Sequence, residues 1–280
     1  MNKLLLAFTC VAAGCFYSCS SGPKETNNNN DSASANTILS DSVKIVDGSI
    51  PIFYNMYLSV EMSSLFQAIG ASYDEKLLNS PDRIHAYETS TDKALNLGVY
   101  AVDLSYAKYF EQFEQAGRYL KNMNKLSTEL GIPNDKFMVS LKRIETNLTN
   151  KDSLVLIANQ MYKNTEEHLK ANNRASAASL IIAGGWTEAM YIAVQLANTQ
   201  NSDIQLIERI VEQKTSIDNL LSLLEKYKNE PIIKDLIVKF TDVRSSLKDL
   251  SLDEKDMGST YKQLDELKMK LSSLRKSMIS

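Results

Sequence analysis

From Val43 onward, hydrophobic positions recur with the spacing of α-helices. Stripes at intervals of three and four residues follow one another along the chain, so the apolar side chains of each stripe share one helix face. No sustained alternation of apolar and polar residues occurs, and the chain has only 10 glycines and 5 prolines. The pattern predicts an all-α fold: a multi-helix bundle of about eight or nine helices arranged as antiparallel helical hairpins.

The last third of the chain has the clearest stripes. Pro231 suits a first helical turn and predicts a new helix there. The final helix carries apolar residues at 3-4-3-4 spacing, typical of the seam of a helical hairpin: Leu264, Leu267, Leu271, Leu274 and Met278. Residues 43–280 are predicted to form a single all-helical domain, within which residues 203–280 could form a semi-separate bundle.

A long helical pattern begins near Thr91 and ends at Gly131-Ile132-Pro133. Pattern alone leaves open whether residues 92–130 form one bent helix or two helices joined near Gln112. Other helix starts are predicted from proline or capping residues at Pro51, Pro81 (behind Ser80), Asn134 and Asp152-Ser153.

The first eighteen residues have a different pattern. Lys3 provides a positive charge, and residues 4–18 form an uncharged, mainly apolar run that is too short to cross a bilayer comfortably. Small residues then lead into cysteine, which resembles a bacterial lipobox, where the cysteine thiol receives a diacylglyceryl group. Cys19 is the favoured acylation site because polar residues follow it at once. Cys15, preceded by Ala12-Ala13-Gly14, is the alternative.

Residues 1–18 are therefore predicted as a lipoprotein signal peptide, and residues 19–42 as a disordered tether. The tether is rich in Asn and Ser and cannot bury enough apolar surface to offset the entropy lost on ordering. Ser32 and Ser42 match the D-[ST]-apolar sequon for O-glycosylation in Bacteroidota. Ser20, after the acylated cysteine, indicates delivery to the outer membrane; the periplasmic face is favoured, and exposure at the cell surface stays open.

The cysteine positions and the net charge argue against several kinds of function for the mature domain. All three cysteines lie at or before position 19, so the mature domain has no thiol for a disulfide, a zinc site or a nucleophile. Loss of Lys3 with the leader leaves 30 basic and 34 acidic residues, a net charge of −4, with both signs mixed along the chain. This gives no support to nucleic-acid binding. The predicted partner is the membrane, through acyl chains such as palmitate; an envelope protein is a further candidate, and the ligand stays unknown.

Two stretches, residues 97–106 and 181–194, are mostly apolar and combine glycine, an aromatic residue and one acid. Glycine in a helix interior costs about 1 kcal/mol, so Gly98, Gly184 and Gly185 indicate close approach of a helix or a ligand. A pocket between the two helices is one interpretation. Tight helix packing, with the acids bonded to buried donors, is the favoured one. The candidate pocket or buried polar cluster has six members: Tyr100, Asp103, Tyr106, Trp186, Glu188 and Tyr191.

The candidate donors to Asp103 and Glu188 are Tyr100, Tyr106, Tyr191, Lys108 and Arg174. The segment Ala177–Ala197 is about long enough to span a membrane, but Glu188 at its centre favours a central helix of the folded domain.

Enzymatic and metal chemistry find little support in the sequence. His85 and His168 are the two histidines, and neither lies in the Glu-x-x-His pattern of a di-iron bundle. No nucleophile elbow or phosphate-binding glycine loop occurs. We predict no catalytic residue, no metal site and no cofactor.

The chain resembles helical lipoproteins of Bacteroidota whose function is uncharacterised. The resemblance rests on the lipobox, the Asn-rich tether and the blocks KALNLGVYAVDLSYAKYF and LIIAGGWTEAMYIA. It implies an envelope location and supplies no catalytic residue. The expected function is that of a lipid-anchored cell-envelope helical protein acting as a non-catalytic binding or scaffold module. A small-ligand-binding or sensing lipoprotein, with its pocket between the Gly98 and Gly184 helices, is the alternative, and a hydrolase is a distant third.

Overall fold

Seven α-helices make up most of the part of the chain that the structure, a computed structural model, describes. It describes residues 70–133, 174, 176–197 and 204–280, with scattered positions between 139 and 171. The helices are α1 (Ser90–Tyr109), α2 (Phe113–Glu129), α3 (Ala177–Ala197), α4 (Ile204–Val211), α5 (Lys214–Glu225), α6 (Pro231–Asp249) and α7 (Met257–Ile279). Two short 3-10 helices, Glu75–Leu77 and Pro81–Ala86, precede α1. No strand occurs in these ranges, and the predicted all-α fold is confirmed.

Several predictions concern residues outside the described ranges. These are the signal peptide, the tether with Ser32 and Ser42, the acylation sites Cys15 and Cys19, and the helix from Pro51. The helices predicted behind Asn134 and Asp152 also lie largely outside the described residues.

Helices α1 and α2 are two separate helices, which settles the question that the sequence pattern left open. Thr89 begins α1 with a capping box: its hydroxyl accepts the Asp92 N–H at 3.1 Å, and the Asp92 carboxylate accepts the Thr89 N–H at 3.1 Å. The chain reverses at residues 110–112, where Glu111 adopts a left-handed φ of 58°. The helices then pack antiparallel, with the Lys93–Glu129 ion pair (2.9 Å) near one end.

Helices α6 and α7 form the predicted antiparallel hairpin. Pro231 occupies the first turn of α6, and the Asp256 carboxylate caps α7 by accepting the Ser259 N–H at 3.2 Å. All five residues of the apolar seam of α7 are buried. The antiparallel direction follows from two cross-links, Asp242–Lys270 at 3.0 Å and Ser246–Glu266 at 2.9 Å.

Helix α3 lies at the centre of the described fold. It packs against α1, α4, α5 and α7, and α7 in turn contacts α1 as well as α6. Among the described residues, it is the one helix long and apolar enough to cross a membrane, and 83% of its most apolar window is buried inside the protein. The burial explains its composition, because a helix surrounded by other helices is apolar on all sides.

Candidate functional site

Helices α1 and α3 touch backbone to backbone at two glycines. A Cβ atom on Gly98 would lie 1.9 Å from the Ile181 carbonyl oxygen, and one on Gly184 would lie 2.0 Å from the Leu95 carbonyl oxygen. Both obstacles are main-chain atoms, so no side-chain rotation can relieve them. The glycines are thus explained by helix contact, which favours the tight-packing interpretation of the sequence and leaves no room for a ligand at this crossing.

Glu188, in the middle of α3, forms a bidentate ion pair with Arg275 of α7. Arg275 Nε donates to Glu188 Oε2 and Nη2 donates to Oε1, both at 2.6 Å. The Glu188 side chain is fully buried and Arg275 is only 8% exposed. The guanidinium also lies 4.2 Å from the ring centroid of Tyr191, within range of a cation–π interaction. Burial lowers the pKa of Arg275, but the adjacent Glu188 carboxylate more than offsets this, and Arg275 stays charged.

Asp103 of α1 is fully buried beside this ion pair. Its Oδ2 accepts the Asn79 main-chain N–H at 3.3 Å. Burial first, and then the charge of Glu188, raise the pKa of Asp103 well above its usual range, whereas Arg275 opposes this increase. Two carboxyl groups and one guanidinium are electrically neutral together only when one carboxyl keeps its proton. This charge balance and the raised pKa both favour a protonated Asp103.

We call Asp103, Glu188 and Arg275 the buried charge cluster. Asp103 Oδ1 is buried and has no hydrogen-bond partner among the described residues. The cluster links three helices, α1, α3 and α7, and its charges are balanced by the chain's own groups.

The remaining members of the predicted polar cluster fall into three places. Tyr191 lies under the guanidinium of Arg275. The hydroxyl of Tyr100 donates to the Ser80 carbonyl at 3.0 Å, and that of Tyr106 accepts the Asp74 N–H at 3.3 Å. Trp186 is fully buried, and its ring centroid lies 5.9 Å from that of Phe240 on α6. The structure thus brings only part of the predicted set together.

Two of the five predicted donors to the acids, Tyr100 and Arg174, bind main-chain carbonyl groups instead. Arg174 donates to the Glu129 carbonyl at 3.0 Å, and Tyr100 binds main-chain oxygen rather than a carboxylate. The principal partner of Glu188 is Arg275, which sequence reasoning missed. In the pattern Leu274-Arg275-Lys276, it resembles the solvent-facing side of an amphipathic helix. The sequence did contain a sign of this partnership. A buried glutamate requires a cation, and Arg275 directly follows Leu274, a residue of the apolar seam of α7.

A short segment, residues 77–81, runs from the end of the first 3-10 helix to the start of the second and contacts the buried charge cluster through Leu77 and Asn79. We call it the capping segment; its sequence is LLNSP. Leu78 is extended (φ −88°, ψ 153°), and Leu78 and Asn79 are buried, whereas Ser80 is exposed. Asn79 is held on both sides: its side-chain Nδ2 donates to the Tyr87 hydroxyl at 2.8 Å and to Asn96 Oδ1 at 3.2 Å.

Five side chains from α1, α2 and α7 bind main-chain groups of the capping segment. The bonds are Arg275 Nη2 to the Leu77 carbonyl (3.0 Å), the Asn79 N–H to Asp103 Oδ2 (3.3 Å), the Tyr119 hydroxyl to the Asn79 carbonyl (2.9 Å), the Tyr100 hydroxyl to the Ser80 carbonyl (3.0 Å) and Asn122 Nδ2 to the Pro81 carbonyl (2.6 Å). Buried main-chain groups outside helices require such partners. Burial raises the pKa of both tyrosines, so their hydroxyls remain protonated donors.

The described ranges contain no group of three or more His, Cys, Asp or Glu side chains placed to hold a metal ion. His85 is exposed on the second 3-10 helix.

Comparison with known proteins gives no relatives: no family model, no curated protein and no solved structure matches the chain significantly. The function must therefore be argued from the chain's own residues.

Proposed function

We propose that this chain is a lipid-anchored protein of the cell envelope whose helical domain acts as a non-catalytic binding or scaffold module. The anchoring role is supported by the first nineteen residues, in which a charged start and an apolar run lead to Cys19 and a polar tether. A diacylated cysteine binds membranes durably because each buried CH2 contributes about 0.8 kcal/mol.

The observation that carries the non-catalytic role is the bidentate pair of Glu188 and Arg275. An acid–base catalyst must reach its substrate, whereas Glu188 is fully buried and both of its oxygens are bound by one guanidinium at 2.6 Å. The raised pKa of Asp103 is explained by its position in the fold, because burial and the nearby Glu188 carboxylate cause it. Perturbed groups of this kind also occur in structural ion-pair networks.

A ligand pocket between the Gly98 and Gly184 helices is less well supported. The backbones of α1 and α3 are in contact at both glycines. Trp186, proposed as a pocket wall, instead packs in the core near Phe240.

The anchoring proposal is tested by separate Cys19→Ser and Cys15→Ser substitutions in cells supplied with radiolabelled palmitate. We expect Cys19→Ser to abolish labelling and to move the protein out of the membrane fraction, while Cys15→Ser leaves both unchanged. Labelling that survives Cys19→Ser and disappears with Cys15→Ser would transfer the anchor to Cys15. Labelling that survives both substitutions, or is absent from the unaltered protein, would refute the anchor.

A further inference from the structure

Aromatic side chains are concentrated at the turn between α1 and α2. We call four of them the aromatic edge: Tyr73, Tyr109, Phe110 and Phe113. The ring centroid of Phe110 lies 6.1 Å from that of Tyr73 and 5.1 Å from that of Tyr109. These three rings are half-buried, whereas Phe113, the first residue of α2, is 71% exposed. The turn therefore presents aromatic surface to solvent.

The exposure of Phe113 is more informative than that of a lone surface residue. Single exposed apolar side chains are common on soluble proteins and need no explanation. Phe113 is the most exposed large hydrophobic side chain among the described residues, and it lies on the same turn as Tyr109 and Phe110, whose rings are also only partly covered. Aromatic residues are enriched in the contact surfaces between proteins.

Negative charge accompanies the aromatic edge. Residues 73–76 and 108–115 contain two lysines and four exposed acids, a net charge of −2; the acids are Asp74, Glu75, Glu111 and Glu114. Gln115 Nε2 donates to Glu75 Oε1 at 3.2 Å, so this acid lies against the first turn of α2. Burial, and then the charge of Glu75, raise the pKa of Tyr73 to about 12. The negative potential thus reaches the rings themselves.

A cationic partner fits this surface for two reasons. Carboxylates attract lysine and arginine, and the faces of aromatic rings bind the same cations within about 6 Å of the ring centroid. An apolar side chain beside these cations would remove Phe113 from water. A lipid surface fits less well, because exposed carboxylates would have to lose water on entering it.

We propose that the aromatic edge binds a basic segment of a partner protein, in which lysine or arginine residues flank an apolar side chain that packs on Phe113. This proposal rests on the binding role proposed above and names the partner's chemistry, but it does not depend on the lipid anchor. It requires no rearrangement of the fold, because Phe113 and the four acids are already exposed. The small contact surface predicts weak, salt-dependent binding.

The test measures the fluorescence anisotropy of a labelled peptide, GRKLRKLG, with the full-length protein in phosphatidylcholine vesicles. Two matched peptides are compared with it: GEDLEDLG reverses the charge, and GRKGRKGG lacks the apolar side chains. We expect saturable binding of GRKLRKLG with a Kd below about 1 mM, and binding at least about tenfold weaker for each matched peptide. Raising the salt concentration from about 0.05 M to about 0.5 M should weaken the binding of GRKLRKLG at least about fivefold.

Variants of the protein locate the binding site. Phe113→Ser should weaken the binding of GRKLRKLG at least about tenfold, and Glu111→Asn/Glu114→Gln at least about fivefold. Asparagine tolerates the left-handed conformation of residue 111, so the turn should be preserved. Val238→Ser is the matched control, since Val238 on α6 is 66% exposed, and it should leave the affinity unchanged. Circular dichroism confirms that each variant is folded.

The proposal is overturned if GRKLRKLG shows no saturable binding at about 1 mM, if GEDLEDLG binds equally well, or if binding survives both Phe113→Ser and Glu111→Asn/Glu114→Gln. Two further results would assign the aromatic edge to another occupant. A melting temperature lowered by Phe113→Ser as much as by a core substitution would show that the chain itself covers Phe113. Sedimentation of the Cys19→Ser protein with phosphatidylcholine vesicles, abolished by Phe113→Ser, would indicate a lipid surface. The Cys19→Ser background separates the edge from the anchor, since the proposal requires the same peptide affinity with and without lipidation.

Discussion

Glu188 and Arg275 lie 87 positions apart in the chain and are joined by two hydrogen bonds of 2.6 Å inside the protein. The pair links the central helix α3 to the last helix α7. Asp103 of α1 adjoins it, and Arg275 also holds the Leu77 carbonyl at 3.0 Å. One buried cation thus connects the fold's central helix to the capping segment.

The first prediction concerns removal of this cation. Arg275→Met should lower the free energy of unfolding by about 3–5 kcal/mol, because it leaves the Glu188 carboxylate buried without a partner. Urea denaturation followed by circular dichroism measures the change.

Two controls distinguish loss of the ion pair from loss of packing. Glu188→Met/Arg275→Met removes both charges and should recover most of the stability lost by Arg275→Met. Arg209→Met breaks an exposed pair with Glu212 and should change stability by about 1 kcal/mol or less. A double variant as unstable as Arg275→Met would show that the buried carboxylate is not the cause.

The second prediction compares neighbouring glycines. Gly184→Ala should destabilise the protein by about 1–3 kcal/mol or more, because the new methyl group would meet the Leu95 carbonyl at 2.0 Å. Gly185→Ala is the matched control. Its methyl group would lie 3.4 Å from the Gly98 carbonyl oxygen, an ordinary contact, so the helix propensity of alanine should leave stability unchanged or raise it by up to about 1 kcal/mol. Equal melting temperatures for the two variants would contradict the backbone contact.

The third prediction concerns pH. The folded protein holds the Asp103 proton more tightly than the unfolded chain, whose aspartates have a pKa of about 3.9. As the pH rises above about 4, the unfolded chain loses this proton first, so the contribution of Asp103 to stability falls until the pH passes the folded-state pKa. Asp103→Asn mimics the protonated acid and removes this dependence.

Denaturation of the unaltered protein and Asp103→Asn at several pH values measures the effect. Relative to the unaltered protein, the variant should gain stability from pH 4 toward neutrality, by at most about 1.4 kcal/mol per pH unit. A difference that stays constant with pH would show that Asp103 titrates normally in the fold.

The helices could be predicted because they depend on local pattern. The seam of α7, from Leu264 to Met278, is buried as its 3-4 spacing requires. Pro231 begins α6 for reasons confined to its own turn. The break between α1 and α2 at residues 110–112 was harder to predict from sequence. Glutamate does not favour the left-handed conformation that Glu111 adopts.

The buried cluster could be predicted only in part. Asp103 and Glu188 stood out as acids within apolar helices, but their environment depends on helices distant in sequence. The local sign at Arg275 was weak, because it consisted of its position directly after the seam residue Leu274, and the capping segment has no periodic pattern at all. Contacts between Arg275 and Leu77, 198 positions apart, are a property of the tertiary fold.

The lipid anchor is tested most directly by the intact mass and the N-terminal peptide of the protein purified from cell membranes. We expect a chain that begins at Cys19 and carries a thioether-linked diacylglyceryl group. An unmodified N-terminus, or a chain that retains residues 1–18 in the cytosol, would contradict it.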